Sequence, residues 1–387
     1  MKKQYLISRR EFAATAGLGT MGILSAAVEA QNYNESLLYA GTYTKGKSEG
    51  IYVYRMNHAN GELRLSSVAK SASNPSFLAI DSNRKFLYAV NESGEFLGRK
   101  GGGLTAYAID RKTGALKKLN EVSSPGVPCY VTVHQSGRFV LAANYGGGNV
   151  VIYPVKTDGS LGEASDIAQH SGKGADPSRQ DGPHAHCIKL DAAGRYAFAP
   201  DLGLDKIMIY KVDTGKGKLI PNGFAATRPG AGPRHFDFHP NGRFAYVINE
   251  LDSTIVAFEY DKIGGKLAGL QTISTLPAGF KGASFCADLH VHPSGKFLYG
   301  SNRGHDSIAV FAIDQSNGKL SLIGHESTIG RWPRNFAIDA TGTWLLVANQ
   351  NTDNVATFRI DTQTGKLKAT GQLTEIPVPV CLKFLQI

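Results

Sequence analysis

His239-Pro240-Asn241-Gly242-Arg243-Phe244-Ala245-Tyr246-Val247-Ile248-Asn249 joins a short turn signal to an apolar run that ends on a polar amide. The phrase returns with the same spacing and an upstream proline. It runs Pro128…Gly137-Arg138-Phe139…Asn144, Pro233…Gly242-Arg243-Phe244…Asn249 and Pro333…Gly342…Asn349. Looser copies run through Pro75…Asn91, Ala185…Gly194…Asp201 and Cys286…Gly295…Asn302. A period of roughly 40–50 residues marks a solenoid or a propeller.

A second signal falls between the copies. Gly is followed two positions later by Leu at Gly61, Gly114, Gly159, Gly217, Gly265, Gly318 and Gly365. Each reads as a tight hairpin turn between short apolar runs such as Leu104–Ile109 and Ile308–Ile313. Each unit then holds four strands, as in Ser76–Ile80, Phe86–Val90, Leu104–Ile109 and Leu116–Val122. Four-stranded repeats without helical periodicity predict an all-β propeller with antiparallel blades around a channel. Pro379–Leu385 has the innermost strand of a unit and no second strand, whereas Leu38–Thr42 reads as a second strand. Pairing the two ends predicts a composite closing blade and a ring of seven, which removes exposed sheet edges.

The first thirty residues read as a targeting segment rather than fold. Lys2 and Lys3 lead to Ser8-Arg9-Arg10-Glu11-Phe12, an apolar run from Ala13 to Val28, and Val28-Glu29-Ala30. A charged start, an apolar middle and small residues at the cleavage point are a signal peptide. The paired arginines suit twin-arginine export of a folded protein, with an ordinary secretory signal as the alternative. This divides the chain into a signal at 1–30 and a propeller at 31–387, exported to the periplasm, with no membrane anchor after cleavage. Deleting the segment removes four basic and two acidic residues and lowers the net charge from +10 to about +8. The remaining charge is scattered, without a basic run, so a nucleic-acid partner is not expected; an anionic small molecule suits it.

Cys129, Cys187, Cys286 and Cys381 form no Cys-x-x-Cys pair and each begins an innermost strand. They read as buried thiols rather than zinc ligands, and no metal or other cofactor is expected.

In an antiparallel blade the start of strand one and the end of strand two share a face. The longer loops also lie there: Gly159 to Gly194 spans 35 residues, against 25 from Gly217 to Gly242. Long loops on one rim of a rigid ring are where sites are built. Strand one begins with His184 and His186, with Arg234 and His235, with Asp288 and with Arg334 in successive blades. Strand two ends at Asn91-Glu92, Asn144-Tyr145, Asp201, Asn249-Glu250, Asn302-Arg303 and Asn349. The recurrent Asn suits a structural duty in every blade; Glu92, Glu250 and Arg303 do not recur, and so point to a site. His184 and His186 follow Arg179 in the longest loop.

Arg179-Gln180-x-x-Pro183-His184-x-His186, Gly232-Pro233-Arg234-His235, Val247-Ile248-Asn249-Glu250 and Ser301-Asn302-Arg303-Gly304-His305-Asp306 resemble the lactonase family of seven-bladed propellers, the 6-phosphogluconolactonase type. The resemblance covers residues 37–387. It implies a lactone-hydrolysing enzyme with His186, Arg234, Glu250 and Arg303 as catalytic residues. Substrate-binding candidates are Arg179, His184, His235, Glu92, Asn144, Asp201 and Asn302. Which of His184 and His186 acts stays open. The chemistry fits these parts: Glu250 or His186 as general base, Arg234 toward the carbonyl oxygen, and Arg303 for an anionic tail. The expected partner is a small anionic or sugar lactone. Related fungal enzymes close carboxymuconate into a lactone, so a cyclase using the same residues is the alternative, and a non-catalytic binding propeller is another.

Overall fold

The computed structural model describes residues 35–71 and 73–387, and the expected signal peptide at 1–30 lies outside the described residues. Seven four-stranded antiparallel sheets form the blades. Blades 1 to 6 start their innermost strands at Leu78, Pro128, Lys189, Pro233, Phe285 and Pro333. Blade 7 is composite: Pro379–Gln386 pairs with Glu35–Thr42, with Leu37 opposite Leu385 and Ala40 opposite Leu382. The ring therefore closes as the terminal half-repeats predict. A short hairpin, Glu95–Phe96 with Arg99–Lys100, fills the long Asn91–Gly103 connection.

Burial follows position within the blade. Second strands are packed between neighbouring blades on both faces, so Phe139–Asn144, Phe244–Asn249 and Trp344–Asn349 are buried throughout. This is why they read as continuous apolar runs rather than alternating ones. The outermost strands, such as Lys266–Ser274, carry exposed residues along their length.

The repeated residues also tie the blades together. Tyr39, Tyr88, Tyr246 and Tyr299 donate their hydroxyls to the carbonyls of Gly114, Gly159, Gly318 and Gly365 in the next blade, at 2.8–3.0 Å. His134, His239 and His292 donate Nε2–H to the carbonyls of Gly194, Gly295 and Gly342 at 2.8–2.9 Å. Gly318 shows why its position excludes side chains. Its φ is 73°, and a Cβ there would lie 2.5 Å from the ring of Phe244.

The polar ends of the second strands have one shared duty. The amides of Asn91, Asn144, Asn249, Asn302 and Asn349 donate to Thr105, Asn149, Thr254, Ser307 and Asn354 at the start of the third strand. All four cysteines are free and buried. Among the described residues no helix is long and apolar enough to cross a membrane.

Candidate active site

The repeat register generates the site. Eight positions before each turn glycine stand Cys129, His186, Arg234, Ala287 and Arg334, and eight after stand Tyr145, Leu202, Glu250, Arg303 and Gln350. In blade 1, Arg84 adopts the left-handed conformation of that glycine (φ 58°), and the same count gives Ser76 and Glu92. Residues from both sets meet at one mouth of the channel around a cavity of about 360 Å³. Its wall includes Glu92, Cys129, His186, Glu250, Arg303 and Arg334, with Arg179 from the long loop and Tyr43, Tyr145, Phe285, Trp332 and Gln350.

Glu250 is the electrostatic hub. Its Oε2 accepts from Arg234 Nε and Arg303 Nη2, each at 2.8 Å, and its Oε1 accepts from Arg179 Nη2 at 2.7 Å. Burial pushes a carboxyl up, but Arg303, Arg234 and the bond from Arg179 outweigh it and hold Glu250 well below the ordinary carboxylate range. Such a carboxylate stays ionised, with both oxygens engaged by arginines.

Arg179 arrives by way of a clamp. Neighbouring Gln180 is fully buried and donates to Leu202 O at 2.8 Å and Asp205 Oδ1 at 2.7 Å. Asp205 Oδ1 also accepts from Gly232 N at 2.8 Å. The loop bearing Arg179 is thus fastened to the turn that delivers Arg234.

Arg234 is 2% exposed and is not on the cavity wall. Its Nη1 donates to Ala287 O and, at 3.1 Å, to His235 Nε2. His235 in turn donates Nδ1–H to Asp288 Oδ1 at 2.7 Å. Burial and the Arg234 charge lower His235 to about 4, so it is neutral at neutral pH. His186 is also buried and is held well below 6.5 by burial, Arg234 and His235. Its Nδ1 lies 3.5 Å from Cys129 Sγ. Burial raises the Cys129 thiol above its ordinary range.

Arg303 donates Nη2–H to Cys286 O at 2.8 Å besides its pair with Glu250. Burial lowers it to about 10, where it remains a cation at neutral pH. Arg334 differs. Among the described residues no carboxylate lies within ion-pair distance of it, and its guanidinium sits 5.4 Å from the ring centroid of Tyr43. Glu92 accepts from Tyr43 OH at 2.9 Å and from Ser76 Oγ.

Of the residues singled out from the sequence, His186, Glu250, Arg303, Arg179 and Glu92 line the cavity. Arg234 and His235 lie behind that wall. His184 stacks on Tyr145 with ring centroids 4.4 Å apart and bonds Tyr145 O at 3.0 Å. Asn144, Asp201 and Asn302 are fully buried in bonds within the frame: Asn144 with Ser124, Asp201 with His170, Asn302 with Thr275. Arg334 was placed on the rim but not among the candidate catalytic or binding residues, and Trp332 was not singled out. Arg334 was legible, since Trp332-Pro333-Arg334 aligns with Gly232-Pro233-Arg234. Trp332 carries no comparable signal.

A closed seven-bladed ring with a cationic cavity at one mouth defines a small-molecule propeller, and comparison with known proteins gives its family. A family model described as "Lactonase, 7-bladed beta-propeller" matches residues 37–384, and the chain belongs to that family. It is 40% identical over 350 residues to a 6-phosphogluconolactonase of Bacillus subtilis, covering 90% of this chain and 97% of the relative. A 6-phosphogluconolactonase of Formosa agariphila is 38% identical over 313 residues, 79% of this chain and 87% of the relative. Among solved structures, a periplasmic gluconolactonase of Pseudomonas aeruginosa superimposes with a TM-score of 0.85 at 36% identity, covering 91% of this chain and 99% of that one.

Proposed function

We propose that the protein is a lactonase that hydrolyses a sugar lactone by attack of water on the ring carbonyl. The observation that carries this reading is a neutral imidazole, His186, sharing a cavity with Arg334, a cation with no carboxylate in ion-pair distance among the described residues. His186 takes a proton from water as the water oxygen attacks the carbonyl carbon. The carbonyl oxygen becomes an oxyanion facing a guanidinium with donors to spare, for which Arg334 is better placed than the enclosed Arg234. The ring C–O bond then breaks, and the imidazolium returns its proton to the leaving alkoxide, giving the hydroxy acid.

Glu250 has a different part. With three arginines bonded to it, it fixes Arg179 and Arg303 on the wall instead of accepting a proton. Arg234 holds Glu250 from behind and is a positioning residue. The sequence relatives named 6-phosphogluconolactonase and the gluconolactonase structure support a sugar-derived substrate.

Residues 1–30 are read as a twin-arginine export signal, which places the mature protein in the periplasm. The likeness to a gluconolactonase described as periplasmic supports that placement. Acid release from a panel of aldonolactones, followed at constant pH, tests the enzymatic reading. Hydrolysis no faster than the spontaneous rate for every lactone would refute it.

A further inference from the structure

Trp332 stands in a backbone conformation that its own side chain disfavours. Its φ is 66°, in the left-handed region where a bulky residue is a genuine outlier. The corresponding pre-proline position has φ 65° at Gly232 and φ 50° at Asn74. Gly and Asn are the residues that tolerate this conformation. The left-handed geometry thus recurs in four blades, with Val378 (φ 45°) at the same pre-proline position of blade 7, and of these four only blade 6 fills it with an aromatic ring. Asp306 Oδ1 accepts from Trp332 N at 2.8 Å, and Trp332 O accepts from Gln350 N at 3.1 Å, so the backbone is held in place. Val378 shares this strained backbone away from the cavity, so what sets Trp332 apart is its place on the cavity wall.

The indole is half-buried and lines the cavity. The Arg303 guanidinium carbon is 5.5 Å from its ring centroid, and Phe285, the same register position in blade 5, lies 6.3 Å away. Two aromatic rings therefore form the apolar side of a cavity otherwise lined largely by charged and polar groups. A sugar lactone is two-sided in the same way. Its hydroxyl and carbonyl oxygens seek charged donors, while its C–H groups carry partial positive charge that suits the negative face of an aromatic ring.

We infer that Trp332 is a specificity residue that binds the carbon face of the lactone ring, with Phe285 beside it. This rests on the sugar-lactone reading above. It makes Trp332 a contributor to ground-state binding, so its loss acts on KM more than on kcat.

The test uses the full-length mature protein. Trp332→Asn keeps a residue that accepts the left-handed backbone, and Trp332→Phe keeps a smaller ring. The Asn variant should raise KM for the best lactone roughly tenfold with kcat within about threefold, and the Phe variant should recover part of the loss. Wild-type protein is also titrated with gluconate while tryptophan emission is followed. The chain has two tryptophans, and the other, Trp344, is 2% exposed, so a saturable emission change reports Trp332. Repeating the titration in Trp344→Phe confirms the source. An unchanged KM in folded Trp332→Asn overturns the inference. So does flat emission at gluconate concentrations that inhibit hydrolysis. If the Asn variant does not fold, the wild-type titration decides alone. If wild-type protein hydrolyses no sugar lactone, the functional reading fails separately, and the gluconate titration still judges the platform.

Discussion

Arg234 Nε lies 2.8 Å from Glu250 Oε2, with the arginine enclosed behind the carboxylate rather than beside it on the cavity wall. The pair joins the start of an innermost strand to the end of the second strand of the same blade. Arg234→Ala leaves Glu250 bonded to Arg179 and Arg303 but takes the buried donors from Ala287 O and His235 Nε2, at a cost of ~1–3 kcal/mol. Arg234→Ala should therefore lower the melting temperature as well as turnover. Calorimetry beside the kinetics checks this, and a tenfold loss of turnover with unchanged stability would return Arg234 to a direct role.

Arg334 and Arg303 should separate in their kinetics. Arg334→Ala removes a cation with no carboxylate in ion-pair distance among the described residues, and the oxyanion role predicts a fall in kcat of ~10²–10³. Arg303→Ala breaks a pair with Glu250, and the prediction is a raised KM for anionic lactones with a smaller change in kcat. Steady-state constants on one lactone decide between the two patterns.

The acid side of the stability profile has a defined sign. His235 is about 4 in the folded protein against 6.5 when exposed, and His186 is depressed too. Glu250 and Asp288 also lie below the ordinary carboxylate range: arginines outweigh the burial of Glu250, and His290 and His235, which bond Asp288 and charge only as the pH falls, outweigh the burial of Asp288. For every one of these groups the unfolded chain binds protons first as the pH falls. Their stabilisation is fully present above about pH 6.5–7 and is lost progressively below it. Urea unfolding from pH 8 to pH 4 should show a plateau followed by a decline. A stability maximum near pH 5 would contradict the buried, neutral assignment of the two histidines.

The inter-blade tyrosines give a test of the ring itself. Tyr246→Phe deletes one buried hydroxyl and leaves Gly318 O without its donor, for a loss of about 1–2 kcal/mol. Equilibrium unfolding measures it. No change would mean that water replaces the hydroxyl at no cost.

Export depends on the arginine pair if the twin-arginine reading is right. Replacing Arg9 and Arg10 by Lys keeps the charge and should leave precursor in the cytoplasm, whereas the wild type yields mature protein beginning near Gln31. Fractionation with N-terminal sequencing tests this. Unchanged export in the double mutant would indicate an ordinary secretory signal.

Much of this was legible because a repeat states its geometry many times. The turn glycines and the terminal half-repeats were enough for the number of blades and their closure. Asn144, Asp201 and Asn302 were expected to bind substrate, but their side chains are taken up by bonds within the frame, the duty that the recurrence of Asn already suited. The short Glu95–Lys100 hairpin escaped notice because it occurs once and has only two residues per strand. Two site features were also hidden, for different reasons. Arg234 looked equivalent to a wall residue, but enclosure by Ala287, His235 and Glu250 is a three-dimensional fact. Trp332 matters through its place on the cavity wall, which its residue type alone does not reveal.

The most direct test compares wild-type protein with His186→Ala for acid release from glucono-1,5-lactone and its 6-phosphate at constant pH 7. The account predicts release above the spontaneous rate for the wild type on at least one of them, reduced ~10²–10⁴-fold in the variant as for loss of a general base. Wild-type release at the spontaneous rate, or full activity in folded His186→Ala, would contradict it.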